Sequence, residues 1–268
     1  MRIFISADIE GCAGFTCIEE GKQGHPEYEY FRQQMTRECA AACRGSFACR
    51  AEMVLVRDAH GNGRNIYPDQ LPKPTCITRG HTGSMYAMMS GIENESFDVA
   101  LMIGSHSGVG TDGSPVAHTF NRLTDKIFLN GEVLSEFVFN AYSSADLGVP
   151  VAFISGDSEV CKQAQRLIPQ ITTVETMRAF GSASTSIHPD LAVDFIEEEV
   201  VRVLSGDYKA CMPKMPDRFV LDMSFVRPAD AFFNSVYPGM VQLDTKTLRY
   251  TTGQWREVLC MVHFVLDK

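Results

Sequence analysis

The sequence predicts an α/β fold in which a mainly parallel sheet is flanked by helices, with a smaller α+β unit at the C-terminus. Short β-rich runs alternate with longer helical stretches, which is typical of parallel strands joined by crossover helices. After about residue 185 this alternation gives way to proline-interrupted and hairpin-like segments. The 268 residues, 45% hydrophobic and 21% charged, are enough for one large domain or two small ones without disulfides.

We expect the first unit, a metal-binding catalytic domain, to span residues 1–185. Its predicted strands are Ile3–Ala7, Met53–Val56, Val99–Ile103, Ile127–Leu129, Val151–Ile154 and Thr172–Val174. Its predicted helices are Tyr28–Arg50, Ser84–Ser90, Gly131–Ser144 and Val160–Leu167. The apolar runs of the strands are short enough for strands and are separated by helical stretches, as a parallel sheet requires.

The second unit, residues 186–268, begins with a predicted helix over Pro189–Leu204. Pro213 and Pro216 follow it and prevent the helix from continuing. The remaining predicted elements are a strand Phe219–Phe225, a helix Ala229–Val236, a hairpin of Val241–Leu243 with Leu248–Thr251, and a helix Trp255–Val265.

Composition excludes several classes of partner. The net charge of −9 and the pI near 5.3 argue against nucleic acid, because a nucleic-acid binder needs clustered Lys and Arg. No run of about 18 apolar residues occurs, so we expect no membrane span. Asp8 interrupts the apolar stretch that a signal peptide would need. The nine cysteines include no CxxC pair and are interpreted as reduced thiols of a cytoplasmic protein.

Acidic residues and histidines follow the predicted strands where each strand ends. These residues are Asp8, Glu10, Asp58, His60, His106 and Asp157, and His118 lies in a further polar loop. Ligands of parallel sheets bind outside the carboxyl ends of the strands, where residues distant in sequence converge. Carboxylates with imidazoles suit zinc, manganese or iron, and this number of ligands suits a two-metal site. The alternative is that the histidines are solvated loop residues and that acids such as Asp157 cap helices.

Other conspicuous side chains are given structural interpretations. Met85, Met88 and Met89 are interpreted as core filling, with the wall of an apolar pocket as the alternative. His263 is interpreted as a buried histidine within an apolar helix. His81 is interpreted as a surface residue of a Gly-rich loop, with a place in the wall of the substrate pocket as the alternative. The absence of a Walker loop, a dinucleotide fingerprint and a GxSxG elbow argues against nucleotide-binding and serine-hydrolase functions.

From residue 1 to about 160 the chain resembles the zinc D-aminopeptidase family associated with bacterial dipeptide-transport operons. The matching motifs, in order, are Ser6–Gly11, Asp58–Gly61, Gly104–His106, Ala117–Thr119, Asn130-Gly131, Ser135-Glu136, Asn140-Ala141, Gly148–Val151 and Ser155–Asp157. Ser135 departs from the family, which usually has glycine at that position. The C-terminal third carries no motif that can be transferred.

The resemblance implies two zinc ions per chain, with Asp8 as the bridging carboxylate. The remaining implied ligands are Glu10, His60, His106 and Glu136. Glu132 rivals Glu136, since it lies four residues earlier on the same predicted helix face. The family assigns His118 as a catalytic nucleophile, and the alternative is that its imidazole donates a proton to the leaving amine or stabilises the oxyanion. In either role we expect this residue to act on substrate rather than to hold metal. Asp58 is expected either to orient a metal-bound imidazole or to cap a turn.

The predicted function is that of a binuclear zinc aminopeptidase or amidase acting on short peptides or amino-acid amides. The resemblance points to D-amino-acid substrates and to a homo-oligomer of ten subunits around an internal channel. The sequence itself offers the C-terminal helix and Trp255 as candidate contact surface, and a core position is the alternative for Trp255. One alternative is a two-metal phosphoesterase, although the only basic residues near the expected site are Arg57, Arg64 and Arg79. A second alternative is a non-catalytic protein that binds small peptides.

Overall fold

The structure, a computed structural model, describes residues 1–266 as two sheets packed with six helices. The strands are β1 (Arg2–Ala7), β2 (Met53–Asp58), β3 (Cys76–Thr78), β4 (Val99–Ser105), β5 (Thr124–Leu129), β6 (Glu132–Val133), β7 (Val151–Asp157), β8 (Thr172–Phe180), β9 (Ala183–Ser186), β10 (Phe219–Phe225), β11 (Val241–Gln242) and β12 (Thr247–Thr252). The helices are α1 (Tyr28–Ala48), α2 (Glu136–Asp146), α3 (Ser158–Leu167), α4 (Pro189–Leu204), α5 (Pro228–Asn234) and α6 (Trp255–Val265).

The first sheet has seven strands in the order β3-β2-β1-β4-β7-β8-β9. All neighbours in it are parallel except β9, which is antiparallel to β8. Every residue of β7 is buried, as expected for a strand that is covered on both faces. Helices α1 and α4 pack against each other and against this sheet, and α3 packs against β7 and β8. The predicted mainly parallel sheet flanked by helices is therefore present.

The second sheet is antiparallel and has the order β11-β12-β10-β5-β6. It joins strands from both sides of residue 185, because β5 pairs with β10. Helix α6 packs against α2 through Trp255, whose indole N–H donates to Ser143 of α2 at 3.2 Å. The division into units at residue 185 stays a prediction.

Two predicted helices differ from the observed structure. Ser84–Ser90 contains only a short 3-10 turn over Ala87–Met89. Ala87 and, four residues later, Gly91 take positive φ angles of 49° and 107°, which a right-handed α-helix does not allow. Gly131–Ser144 divides into a turn, strand β6 and helix α2. The turn contains Asn130-Gly131 with φ angles of 52° and 87°, a combination that favours a hairpin.

Helices α4 and α6 and strand β10 have the predicted bounds. The short strands β3 and β9 were not predicted, since neither has the length or the apolar alternation that marks a strand. Among residues 1–266, no helix has both the length and the apolar character that crossing a bilayer would require.

Candidate metal centre

The candidate centre lies where β1, β2 and β4 end side by side. Ala7 of β1 is in register with Asp58 of β2 and with Ile103 of β4. The segment that follows β1 approaches the end of β4 closely at a glycine. A Cβ on Gly104, whose φ is +68°, would lie 2.3 Å from the Asp8 carbonyl oxygen. Glycine is therefore required where the end of β4 meets the segment that follows β1.

The first group of candidate ligands consists of Asp8, Glu10 and His60, whose ligand atoms all lie within 4.8 Å of one another. Nδ1 of His60 is 2.8 Å from Glu10 Oε2 and 3.2 Å from Asp8 Oδ1. The opposite ring nitrogen, Nε2, donates to the carbonyl oxygen of Gly21 at 2.9 Å. That hydrogen bond places the proton on Nε2 and leaves Nδ1 as the ligand atom.

The second group consists of His106, His118 and Glu136. Nε2 of His106 is 3.2 Å from Glu136 Oε2, and its Nδ1 donates to the Ser107 carbonyl at 3.0 Å. The His118 ring stacks on that of His106 with centroids 4.3 Å apart. Nδ1 of His118 donates to the Val116 carbonyl at 3.0 Å, which leaves Nε2 available to a ligand.

Asp8 connects the two groups because its two oxygens lie towards different histidines. Oδ1 is near His60, and Oδ2 is 3.7 Å from Nε2 of His106. Glu10 Oε2 and His106 Nε2 are buried without a hydrogen-bond partner, although buried polar atoms normally have one. Buried carboxylate and imidazole atoms converging in this way suit zinc, so the residues present fit the metal.

Helix α2 supplies Glu136 at its first residue. Ser135 is the N-cap and its side chain accepts from the Val138 N–H, so the serine that departs from the family pattern is explained by capping. Glu136 Oε1 accepts from the Phe120 N–H at 2.6 Å, which ties the helix start to the His118 loop. The rival Glu132 is an exposed residue of β6 and belongs to neither ligand group.

The carboxylates and imidazoles of the centre strongly perturb one another. Burial alone would raise the pKa of Asp8, but its hydrogen bond with His60 and the charge of His106 hold that pKa well below its usual range. Burial would lower the pKa values of the two histidines, yet Glu10 raises that of His60 and Glu136 raises that of His106 well above the usual value. A cation bound here must displace these protons, so binding strengthens as pH rises.

Two acids support the centre without belonging to either ligand group. Asp58 is fully buried and accepts from the backbone N–H groups of Asn65 and Ile66 at 2.6 and 2.8 Å. It therefore fixes the loop that carries His60, whose imidazole donates to Gly21 instead. Asp157 caps α3, as predicted, and its second oxygen also accepts from the Ser107 N–H at 2.5 Å.

A cavity of about 620 Å³ opens over both ligand groups. Asp8, Glu10, His60, His118 and Glu136 line it, together with Arg57, His81, Met88, Phe120 and His263. For Met88 and His81 the structure therefore supports the alternative of a residue in the pocket wall. The interpretation of His263 as buried in the core is wrong, because it reaches the cavity wall. Arg57 and Phe120 had a local sequence signal, since they lie within three residues of a predicted site histidine, and His81 had one in its Gly-rich loop.

The structure thus brings together Asp8, Glu10, His60, His106, Glu136 and His118, all of which were singled out from the sequence. Comparison with family models matches residues 1–264 to Peptidase_M55, described as D-aminopeptidase. A D-aminopeptidase of Bacillus subtilis (strain 168) is 27% identical over 255 residues, which cover 93% of this chain and 91% of the relative.

Among solved structures, a zinc-dependent D-aminopeptidase from Bacillus subtilis, described as a self-compartmentalizing protease, has a TM-score of 0.89 and 25% identity. The alignment covers 100% of this chain and 98% of that chain. This similarity confirms the predicted α/β fold over the whole length.

Proposed function

Because the chain belongs to the D-aminopeptidase family, we propose that it is a zinc-dependent aminopeptidase that hydrolyses short peptides or amino-acid amides carrying a D-residue at the free amino end. The observation that carries this proposal is the pair of ligand groups joined by Asp8. Peptide hydrolysis requires an activated water and a polarised carbonyl, and a two-metal centre supplies both.

Two zinc ions would be held by five ligands. Asp8 would bridge them, with Glu10 and His60 on one side and His106 and Glu136 on the other. When bound, zinc would polarise the scissile carbonyl and lower the pKa of the attacking water. The protein itself orients the imidazoles, through the carbonyls of Gly21 and Ser107.

His118 would act on the substrate. Its Nδ1 is held by the Val116 carbonyl, and its Nε2 is 3.9 Å from Glu136 Oε1, farther than His106 Nε2 is from the same carboxylate. A protonated Nε2 could donate to the departing amine or to the oxygen of the tetrahedral intermediate. Stacking on His106 fixes the plane of the ring for this role.

The cavity favours a peptidase over the alternatives considered from the sequence. A phosphoester pocket usually holds its substrate with several cations, whereas Arg57 is the only arginine or lysine among the described residues that line this cavity. A non-catalytic peptide-binding protein would not require ligand atoms on both sides of Asp8. We further propose a homo-oligomer of ten subunits, in keeping with the self-compartmentalizing description of the solved relative.

The test is the elemental metal content of untagged protein purified without chelators. Wild type should contain about two zinc ions per chain, as expected for a two-metal centre, and Asp8→Ala should lose both. Asp125→Ala, a change at an exposed position of β5, is the matched control and should retain them. Metal-loaded wild type should then hydrolyse D-alanyl dipeptides.

Two outcomes would contradict the proposal. Protein without metal that gains none on addition of zinc would have no such centre. Metal-loaded protein that binds D-alanyl peptides without turnover would be a binding protein instead.

A further inference from the structure

The cavity wall contains residues whose backbone conformation is unfavourable for their side chains. Among residues 1–266, the non-glycine residues with a positive φ are Arg50, Ala87, Phe120 and Asn130. Arg50 directly follows the C-cap of α1, and Asn130 lies in the turn between β5 and β6. Ala87 and Phe120 instead line the cavity. A positive φ is rare for a bulky residue, and residues held in such conformations cluster at functional sites.

Phe120 is the central residue of a γ-turn. Its φ is 61°, and the Asn121 N–H donates to the Thr119 carbonyl at 2.7 Å. A γ-turn with a positive φ at its central residue is rare and strained. Glycine would form the same turn without this strain. The turn therefore does not itself require a phenylalanine, and the side chain must be explained by what it contacts.

The γ-turn places Phe120 beside the reacting groups of the proposed function. The Phe120 N–H donates to Glu136 Oε1 at 2.6 Å. Nε2 of His118 lies 3.9 Å from that same oxygen. Phe120 is therefore next to both a proposed zinc ligand and the imidazole that would act on the substrate.

The side chain of Phe120 contributes to an apolar wall of the cavity. Its ring packs edge to face on the ring of Phe139, with centroids 4.9 Å apart and planes at 85°. Phe139 is fully buried, whereas Phe120 is only partly buried, so part of its surface remains open to a substrate. Met88 lines the same cavity, and its Sδ accepts from the Asn140 side chain at 3.9 Å. Helix α2, which supplies Glu136, thus also supports the apolar wall of Phe120 and Met88.

We propose that Phe120, together with Met88, binds an apolar side chain of the substrate residue that follows the scissile bond, and so determines specificity for the second residue of the peptide. This inference rests on the proposed aminopeptidase function. His118 would donate to the departing amine, so the residue that carries this amine lies on the same side of the bond as His118 and Phe120. An apolar side chain bound there is removed from water, which favours binding in proportion to the area covered.

The experiment measures kcat/KM of metal-loaded protein for D-Ala-D-Leu and D-Ala-D-Ala, which carry the same charges and differ only in the size of the second side chain. Wild type should prefer D-Ala-D-Leu. In Phe120→Ala the ratio of the two kcat/KM values should fall by about tenfold or more, as expected for loss of apolar contacts in a specificity pocket. Phe120→Leu should restore part of the preference. Zinc content should stay at the wild-type value, because the variants retain the N–H that donates to Glu136.

Phe180→Ala is the matched control, because it removes an 83% exposed ring at the end of β8, outside the cavity. It should keep the wild-type ratio. Met88→Ala tests the same apolar wall without changing the γ-turn and should also lower the ratio. If Phe120→Ala does not fold, Phe120→Leu and Met88→Ala decide the matter, since both should show a smaller fall in the same direction.

Two results would overturn the inference. Unchanged ratios in the Phe120 and Met88 variants would leave the Phe120 ring a packing partner of Phe139 only. A further pair, D-Leu-D-Ala with D-Ala-D-Ala, varies the residue before the scissile bond. A fall confined to this pair would show that the apolar wall contacts the first residue of the peptide and not the second.

Failure of the proposed function has a different signature. Metal-loaded wild type would then turn over none of these peptides. Calorimetric titration of D-Ala-D-Leu and D-Ala-D-Ala into wild type and Phe120→Ala would still test the inference. A preference for D-Ala-D-Leu that falls in the variant supports it, and equal affinity ratios, or a wild type that does not favour D-Ala-D-Leu, overturn it.

Discussion

At the scale of single residues, hydrogen bonds to backbone carbonyls decide which histidine nitrogen faces the centre. His60 is fixed through Nε2 and offers Nδ1, whereas His106 is fixed through Nδ1 and offers Nε2. His118 is fixed in the same sense as His106 but lies farther from Glu136. The two proposed ligands and the proposed catalytic residue thus differ in their distance to the carboxylates.

Replacing His118 separates catalysis from metal binding. His118→Ala should lower kcat by about 10²–10⁴-fold, the usual contribution of a general acid or base. Its zinc content should stay at the wild-type value, because the five proposed ligands remain. His106→Ala is the comparison and should lose zinc. A His118→Ala protein that loses zinc as completely as His106→Ala would make His118 a ligand.

Glu38 of α1, which belongs to neither ligand group, makes the free energy of unfolding depend on pH. It is fully buried, and its Oε1 accepts from the Ala13 N–H and from the Gln34 side chain, both at 2.9 Å. Burial raises the pKa of this carboxyl from 4.5 to about 6. The folded protein therefore holds the proton more tightly than the unfolded chain does.

Because of this difference, the Glu38 contribution to the free energy of unfolding is fully present below pH 4.5 and falls as pH rises through 6. The expected loss is about 2 kcal/mol. Glu38→Gln should abolish this part of the pH dependence in urea unfolding of metal-free protein, and Glu198→Gln, at an exposed position of α4, should leave it unchanged. Identical pH profiles for wild type and Glu38→Gln would show that Glu38 does not titrate in this range.

Site residues were predictable where a polar residue follows an apolar strand. Asp8, Glu10, His60 and His106 all have this signal, whereas Glu136 was identified only through the family resemblance because it begins a helix. His263 has no such signal, since it lies in an apolar helix distant in sequence and reaches the cavity only through the packing of α6. A single sequence contains no information on such long-range packing unless a motif is shared.

At the scale of elements, the backbone at the end of β4 lies directly against the backbone that follows β1, with no side chain between them. Gly104 has a positive φ and leaves no room for a Cβ beside the Asp8 carbonyl. Gly148, between α2 and β7, also has a positive φ of 75° but has open space around it. Comparing alanine substitutions at the two glycines therefore distinguishes the cost of a left-handed backbone conformation from the cost of a steric clash.

Substituting alanine at these two glycines tests that distinction. Gly148→Ala should lower the free energy of unfolding by about 1–2 kcal/mol, the cost of a left-handed conformation. Gly104→Ala should cost about 1–3 kcal/mol more, because it adds overpacking, and it should reduce zinc content by displacing Asp8. Urea unfolding and metal analysis check both expectations. Equal stabilities of the two variants would show that the segment after β1 moves away from the end of β4 with no loss of free energy of unfolding.

Helices α4 and α6 were predicted with the correct bounds, whereas a short strand that depends on its pairing partner was not predicted. Helix α4 has Pro189 in its first turn and a regular apolar face, so its bounds follow from local chemistry. Strand β6 has only two residues and exists because the Asn130-Gly131 turn returns the chain to β5. The predicted helix over Gly131–Ser144 was therefore wrong at its start.

At the scale of the whole molecule, one of the two expected contributors to the contact surface, Trp255, lies in the core. Trp255 is 2% exposed and packs with Phe139, Tyr142 and Phe219, so it belongs to the core. Large apolar side chains are exposed instead at Phe232 and Val236, by 72% and 81%. Apolar surface of this kind is typical of subunit interfaces.

The proposed assembly predicts a definite mass. Ten chains of 29.7 kDa give a particle of about 297 kDa, measurable by light scattering after size-exclusion chromatography. A particle with an internal channel should hydrolyse dipeptides while leaving folded proteins intact, because only short or unfolded chains can enter. A mass of one or two chains at micromolar concentration would contradict the proposal.

The pairing of β5 with β10 has a consequence for how the protein is made. As the chain leaves the ribosome, β1, β2 and β4 can assemble early with Asp8, Glu10, His60 and His106. Leu129 of β5, however, can pair only after Leu221 has been synthesised. Helix α2, which begins with Glu136, can likewise pack against Trp255 only after that residue has been synthesised. Such distant pairings form slowly, since the entropy of closing the intervening chain must be overcome first. We therefore expect the nascent polypeptide to complete its second ligand group last.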